Sequence, residues 1–203
     1  MYVRTVYATG DPARIGETLD ALCAEAVEVL TAQPGYRGFG LFADREAGKL
    51  IMGSWWNDAE AERASDEALR PRRDALLTPF AQTVTIDHWE AVVYLPSEQL
   101  NAGAGFRLTR VDVDPEDIDA LIRVFQDTTL PGLRRIRGFS AASLLVDRAH
   151  GHAQVGALYV DSETLYSSRG PVAAVRGASM EKVQVVVRGL EEFEAVLLDR
   201  QPG

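Results

Sequence analysis

The sequence predicts an α+β protein made of two βαββαβ units in tandem, and three observations lead there. Residues 37–58, RGFGLFADREAGKLIMGSWWND, recur at 137–161 as RGFSAASLLVDRAHGHAQVGALYVD, with Asp44-Arg45, Gly48, Gly53 and Asp58 answered by Asp147-Arg148, Gly151, Gly156 and Asp161. Each copy is preceded by an Asp-Pro pair opening an amphipathic stretch, at Asp11-Pro12 and Asp114-Pro115. The chain has 203 residues, room for two such units, each of which alone would be a small globule.

Residues 2–9, YVRTVYAT, read as a strand because β-branched and aromatic residues dominate and Gly10-Asp11 punctuates the end. Asp11 is placed to accept from free helix N–H groups, with Pro12 at the first helical position, where a missing donor costs nothing. Ile15, Leu19, Leu22, Ala26 and Leu30 then form one apolar stripe that stops at Pro34-Gly35. In the second copy Ile118, Ile122 and Phe125 continue the pattern up to Pro131-Gly132 on a shorter helix. Hairpins with glycine turns follow, 36–43 with 49–56 and 138–147 with 152–160, the second lengthened at Ala141-Ala142-Ser143. Leu50-Ile51-Met52 and Ala157 to Val160 are apolar at successive positions, so both sheet faces should be buried. Helices are expected at 58–77, divided at Pro71, and at 161–178, divided at Gly170-Pro171. Strands at 84–95 and 182–187 close the units, and each half has the ferredoxin-like order.

The stretch from Pro96 to Gly105 has linker composition, which predicts units at 1–96 and 105–203 joined by 97–104. Leu190, Phe193 and Leu197 share one helical face, so the second unit is expected to end in a C-terminal helix.

Composition narrows the function. A net charge of -9 opposes the phosphate neutralisation that nucleic acid or an anionic membrane requires. No segment approaches the roughly 18 apolar residues of a spanning helix. The N-terminus has no basic stretch leading into an apolar one. One cysteine, Cys23, cannot form an internal disulfide, and a reducing, cytoplasmic location is expected. The absence of a Walker loop, a GxSxG elbow and HExxH leaves kinase, hydrolase and metalloprotease readings without support.

Residues 53–80, GSWWNDAEAERASDEALRPRRDALLTPF, resemble the third strand and following helix of the antibiotic biosynthesis monooxygenase family, where a strand ends in Trp and leads through a polar residue into an Ala/Glu-rich helix. Trp55-Trp56-Asn57-Asp58 and Ala59 to Leu69 carry the likeness. It implies a dimeric α/β barrel, formed here within one chain from its two units, with a homodimer of the fused chain also open. It further implies cofactor-independent oxygenation of a small aromatic or polyketide-like compound.

Carried over by that resemblance, His88, Asn57 and Tyr7 are the catalytic candidates: His88 to accept a phenolic proton and Asn57 to donate to an oxyanion. Trp55, Trp56 and Trp89 are candidates to stack on the substrate, and Arg4 and Arg107, matched on the first strands, to attract a phenolate or carboxylate. The family's histidine in the helix after Trp is missing between 59 and 77. The second copy has Leu158-Tyr159-Val160 in place of Trp55-Trp56-Asn57, so a site is expected in the first half.

A competing reading is a non-catalytic barrel that binds a small ligand or a partner, its tryptophans packing the core, Asn57 near a helix cap and its arginines solvated. Haem binding is a third reading, and it needs an axial histidine where His88 lies in a strand and His150 and His152 in a turn. Those last two could share a face, but without a third ligand no metal is expected.

Overall fold

The computed structural model describes residues 1–97 and 102–201. Their order is β1 (Tyr2–Gly10), α1 (Ile15–Thr31), β2 (Tyr36–Asp44), β3 (Lys49–Trp56), α2 (Ala59–Leu77) and β4 (Ala81–Leu95) in the first half. The second half has β5 (Gly105–Asp112), a 3-10 turn (Pro115–Asp117), α3 (Ile118–Val124), a π-helical turn (Phe125–Thr129), α4 (Leu130–Leu133), β6 (Phe139–Asp147), β7 (His152–Tyr159), α5 (Ser162–Ser167), α6 (Arg169–Met180) and β8 (Val186–Arg200). The strands hydrogen-bond in the order β1-β3-β2-β8-β5-β7-β6-β4, which closes on itself. This is the α+β class predicted.

The chain divides into two compact units, Met1–Trp89 with Ala195–Gly203, and Glu90–Glu194. Both long strands are therefore shared, whereas the sequence reading cut the chain at 96 and 105. Of the linker read at 97–104, residues 98–101 lie outside the described residues.

In the first unit β3 pairs with β1 and β2, with Tyr2 and Tyr36 both opposite Trp56. One sheet face carries Val6, Ala8, Leu41, Leu50, Met52 and Trp56 against Ile15, Leu19, Leu22 and Leu30 of α1. Val3, Phe42 and Ile51, on the other face by alternation, are buried as well. In the second unit β7 pairs with β5 and β6, and Val111, Leu144, Val146 and Ala153 pack with Ile118, Leu121, Phe125 and Leu133.

Several expectations are corrected. The two RGF segments do not occupy equivalent positions. Gly35-Tyr36 corresponds to Gly138-Phe139: both glycines have positive φ, 80° and 79°, and both carbonyls accept from the residue after the third strand, Asn57 and Val160. On that register β2 and β6 have 9 residues each, so Ala141-Ala142-Ser143 is no insertion. The second helix is not shortened either. It continues through Pro131 to Leu133, because the π turn, in which Leu130 N–H reaches Phe125 O, makes room for a proline ring that an α-helix would exclude.

Asp114 caps the 3-10 turn through the Glu116 N–H, but Asp11 accepts from Ala13 N–H in a turn ahead of α1, which starts at Ile15 without a side-chain cap. Pro71 does not divide α2, since Glu67, whose carbonyl loses its partner, is exposed to water. The predicted C-terminal helix is a strand. Residues 186–200 form β8, paired with β5 from Asp112↔Val186 to Gly105↔Glu194.

Candidate functional site

Arg4 sits on β1, and its side chain is buried on the face that meets the helices. Its Nη1 donates to Ser65 Oγ (2.9 Å), to the Glu62 carbonyl (3.1 Å) and to Glu62 Oε1 (3.4 Å), with Asp66 Oδ1 at 3.6 Å. The guanidinium lies over the Trp56 ring, 5.4 Å from its centroid. Trp56 is fully buried, its Nε1 donating to Ser54 Oγ at 3.0 Å. Asp66 also takes Arg73 and Arg70. Burial pulls the Arg4 pKa down, against the pull of Asp66 and Glu62. At Asp66 burial opposes ionisation, but the bonds from Arg73 and Arg70 and the Arg4 charge outweigh it and hold the carboxyl below its usual range.

Beside this network a cavity of about 590 Å³, open mouth included, lies between the sheet and helices α1 and α2. Its walls are mostly apolar: Val6, Phe39 and Met52 from the sheet, Leu22, Ala26 and Leu30 from α1, Leu69 and Leu76 from α2. Arg4, Ser54, Glu25, Arg72 and Arg73 supply the polar edge. Glu25 and Arg72 pair at the rim, with Arg72 Nε to Glu25 Oε2 at 2.7 Å. Arg73 Nε is buried and donates to no acceptor.

The candidates from sequence fall on two faces. Arg4 lines the cavity and Trp56 lies under Arg4. His88 reaches the network from outside, Nδ1 to Glu62 Oε1 at 2.9 Å with its side chain 50% exposed, and does not line the cavity. Tyr7, Trp55 and Trp89 belong to the opposite face; Trp89 is buried and donates from Nε1 to Thr5 Oγ1 at 2.8 Å. Asn57 is exposed beyond β3 and accepts from Arg37. Tyr7, Asn57 and His88 are thus not brought together. The N-cap of α2 is Asp58, which accepts from Ala61 N–H.

Arg107 repeats Arg4 in the second unit. It donates to Ser168 Oγ (2.8 Å), the Leu165 carbonyl (2.7 Å) and Tyr159 Oη (3.2 Å), and lies 5.3 Å from the Tyr159 ring centroid. Ser65 and Ser168 each donate in turn to the carbonyl three residues earlier, at 2.7 Å. The counter-charge differs: Glu192 of β8 accepts from Arg107 at 2.6 Å and also from Arg169. An equivalent cavity of about 750 Å³, open mouth included, lies between β5, β7, the α3 to α4 helix and α6. Neither cavity is lined by a histidine, so a haem would find no axial imidazole in them.

Glu62, Ser65, Asp66 and Arg73 are not among the residues that the sequence singles out. Their spacing on α2 places them on one helical face interleaved with Leu69 and Leu76. A polar stripe on the face that should be apolar was the available signal.

A family model described as antibiotic biosynthesis monooxygenase matches residues 1–68, the segment carrying Arg4, Trp56, Glu62, Ser65 and Asp66. An uncharacterised protein of Mycobacterium tuberculosis is 31% identical over 168 residues, covering 83% of this chain and 75% of that one. The chain belongs to the antibiotic biosynthesis monooxygenase family.

Among solved structures, a proposed monooxygenase of Fusobacterium nucleatum superposes with a TM-score of 0.75 at 12% identity, over 100% of this chain and 95% of that one. A structure described as an anthrone oxidase-like protein gives 0.64 at 15% identity, over 97% and 91%. At these identities the likeness is one of fold. The antibiotic biosynthesis monooxygenase fold is therefore matched over both halves of the chain, although the family model covers only the start. No helix among the described residues is long and apolar enough to cross a membrane.

Proposed function

We propose that the first unit's cavity binds a small aromatic or polyketide-like compound with an ionisable oxygen, and that the protein oxygenates it without a cofactor. The observation carrying this reading is an apolar chamber with a guanidinium edge: Arg4 at its wall and, on Arg73, a buried Nε–H with no hydrogen-bond acceptor, 3.6 Å from Asp74 Oδ1. Apolar walls take the ring system, and fixed cations in a low-dielectric site stabilise the substrate's enolate or phenolate oxygen. Glu25, the carboxylate on the lining, removes the proton; His88 acts one step away, through Glu62, on the position of Arg4.

For an anthrone-type substrate the balance is simple. The reacting CH2 carbon becomes a carbonyl with one oxygen atom of O2, and the other leaves as water with both hydrogens of that carbon, the electrons coming from the substrate. The solved structure described as anthrone oxidase-like supports this substrate class by analogy of fold.

Oxygen uptake with a panel of anthrones and phenols tests it. Uptake should disappear in Ala26→Trp, which fills the cavity, and fall at least tenfold in Glu25→Gln. Ligand binding without oxygen uptake would favour the non-catalytic barrel, a reading supported by the placement of Tyr7, Asn57 and His88 outside the cavity. Absence of both binding and uptake would overturn the assignment of this cavity.

A further inference from the structure

We propose that the second unit holds a separate ligand site, for an aliphatic carboxylic acid, with the alkyl chain in the cavity beneath α6 and the carboxylate on Arg176. Arg176 lines both that cavity and an adjoining polar cleft with Arg107, Arg169, Glu191 and Glu192. Among the described residues it has no ion-pair or hydrogen-bond partner, although it is half-buried.

The reason is legible in the comparison of the two copies. Arg176 occupies the position of Arg73, which is neutralised by Asp66. The position of Asp66 is taken in the second unit by Arg169, so an acid has been exchanged for a base. Glu192 is shared between Arg107 and Arg169, and Glu191 pairs with Arg110. Among the described residues one cation is left at the mouth of an apolar chamber, and partial burial without an anion is unfavourable.

The walls point to an alkyl chain. Val111, Leu121, Val155, Val172 and Val183 are branched aliphatic. The hydroxyls of Thr129 and Ser179 bond one another at 2.8 Å, so they are not aimed at a polar ring substituent. An apolar chamber with one free guanidinium at its opening matches an amphipathic acid, whose head retains contact with water in the cleft. This site is independent of the one proposed for the first unit.

Calorimetric titration of the full chain with decanoate, decanol and acetate tests the proposal. One decanoate should bind per chain, decanol at least tenfold more weakly, and acetate not measurably. Arg176→Gln, on a partly exposed helix position, should weaken decanoate by about tenfold to a hundredfold, the size of a charge-assisted contact, and leave decanol unchanged. Thr129→Trp should abolish binding of both, while Ala26→Trp in the first unit should leave all three results as they are. Equal affinity for decanoate and decanol, an unaffected Arg176→Gln, or loss of binding in Ala26→Trp instead would overturn it.

Discussion

Two arginines do the same work in the two copies with different support, and the difference decides how each should respond to mutation. Arg4 faces Glu62 and Asp66, both buried. Replacing it leaves Glu62 buried with its remaining contact to the half-exposed His88, while Asp66 keeps Arg73 and Arg70, and Arg4→Met should lower stability by about 3–5 kcal/mol in urea denaturation. Arg107→Met should be milder in the same measurement, because Glu192 keeps Arg169. Acid should find these sites as well. Burial opposes ionisation at both Asp66 and Glu192, yet hydrogen bonds from arginines hold both carboxyls below their usual range. A depressed folded pKa contributes stability that is complete above the unfolded value, near pH 4, and lost as pH falls through the folded value. Melting temperatures followed from pH 6 to 3 should drop steeply below pH 4, and less steeply in Asp66→Asn, which starts from a lower value.

At the scale of elements, the hairpin glycines and one helix glycine make opposite predictions. Gly48 and Gly151 have φ of 61° and 68°, and a Cβ there would stand 2.4 Å from the Gly10 carbonyl oxygen and 2.2 Å from that of Val113. Alanine at either should destabilise by more than about 1 kcal/mol. Gly177 lies inside α6 with nothing within 4 Å of its would-be Cβ, and Gly177→Ala should stabilise by about 0.5–1 kcal/mol. Thermal melts of the three variants check both signs.

The hairpins, the first helix and its stripe were legible because their signals are local: a glycine turn, a periodic face, a proline. Strand β8 was not. Leu190, Phe193 and Leu197 satisfy a helical period, and Glu and Ala around them favour a helix; what makes the segment a strand is pairing with β5, far away in the chain. The repeat register was misread for a related reason. The RGF triplets match as letters, while the positive φ of Gly35 and Gly138 and their paired carbonyls set the true alignment.

At the scale of the molecule, the chain is not cut where its repeat is. Ala195 to Arg200 serve the first unit, where Asp199 accepts from Tyr36 Oη at 2.7 Å and Gln201 N–H donates to the Arg37 carbonyl at 3.0 Å. A chain ending at Glu194 should therefore weaken the first unit more than the second, seen as lost hydrogen-exchange protection at β2 amides. Protection lost mainly in β6 and β7 would contradict that assignment. The candidate site was legible in part by the same logic. Arg4 and Arg107 stand out because they repeat, but nothing local tells that Asp66 answers Arg73 or that Arg169 displaces it.

What the sequence alone determined is the pair of βαββαβ units, the family likeness and the half-matched arginines, since these rest on short-range pattern and on comparison of one copy with the other. The tertiary structure alone decided that the tail is a strand, that His88, Asn57 and Tyr7 lie apart, and that Arg176 has no anion partner among the described residues. Those outcomes depend on which distant groups meet, and burial then determines the strength of each charge pairing, information that neither residue type nor spacing contains.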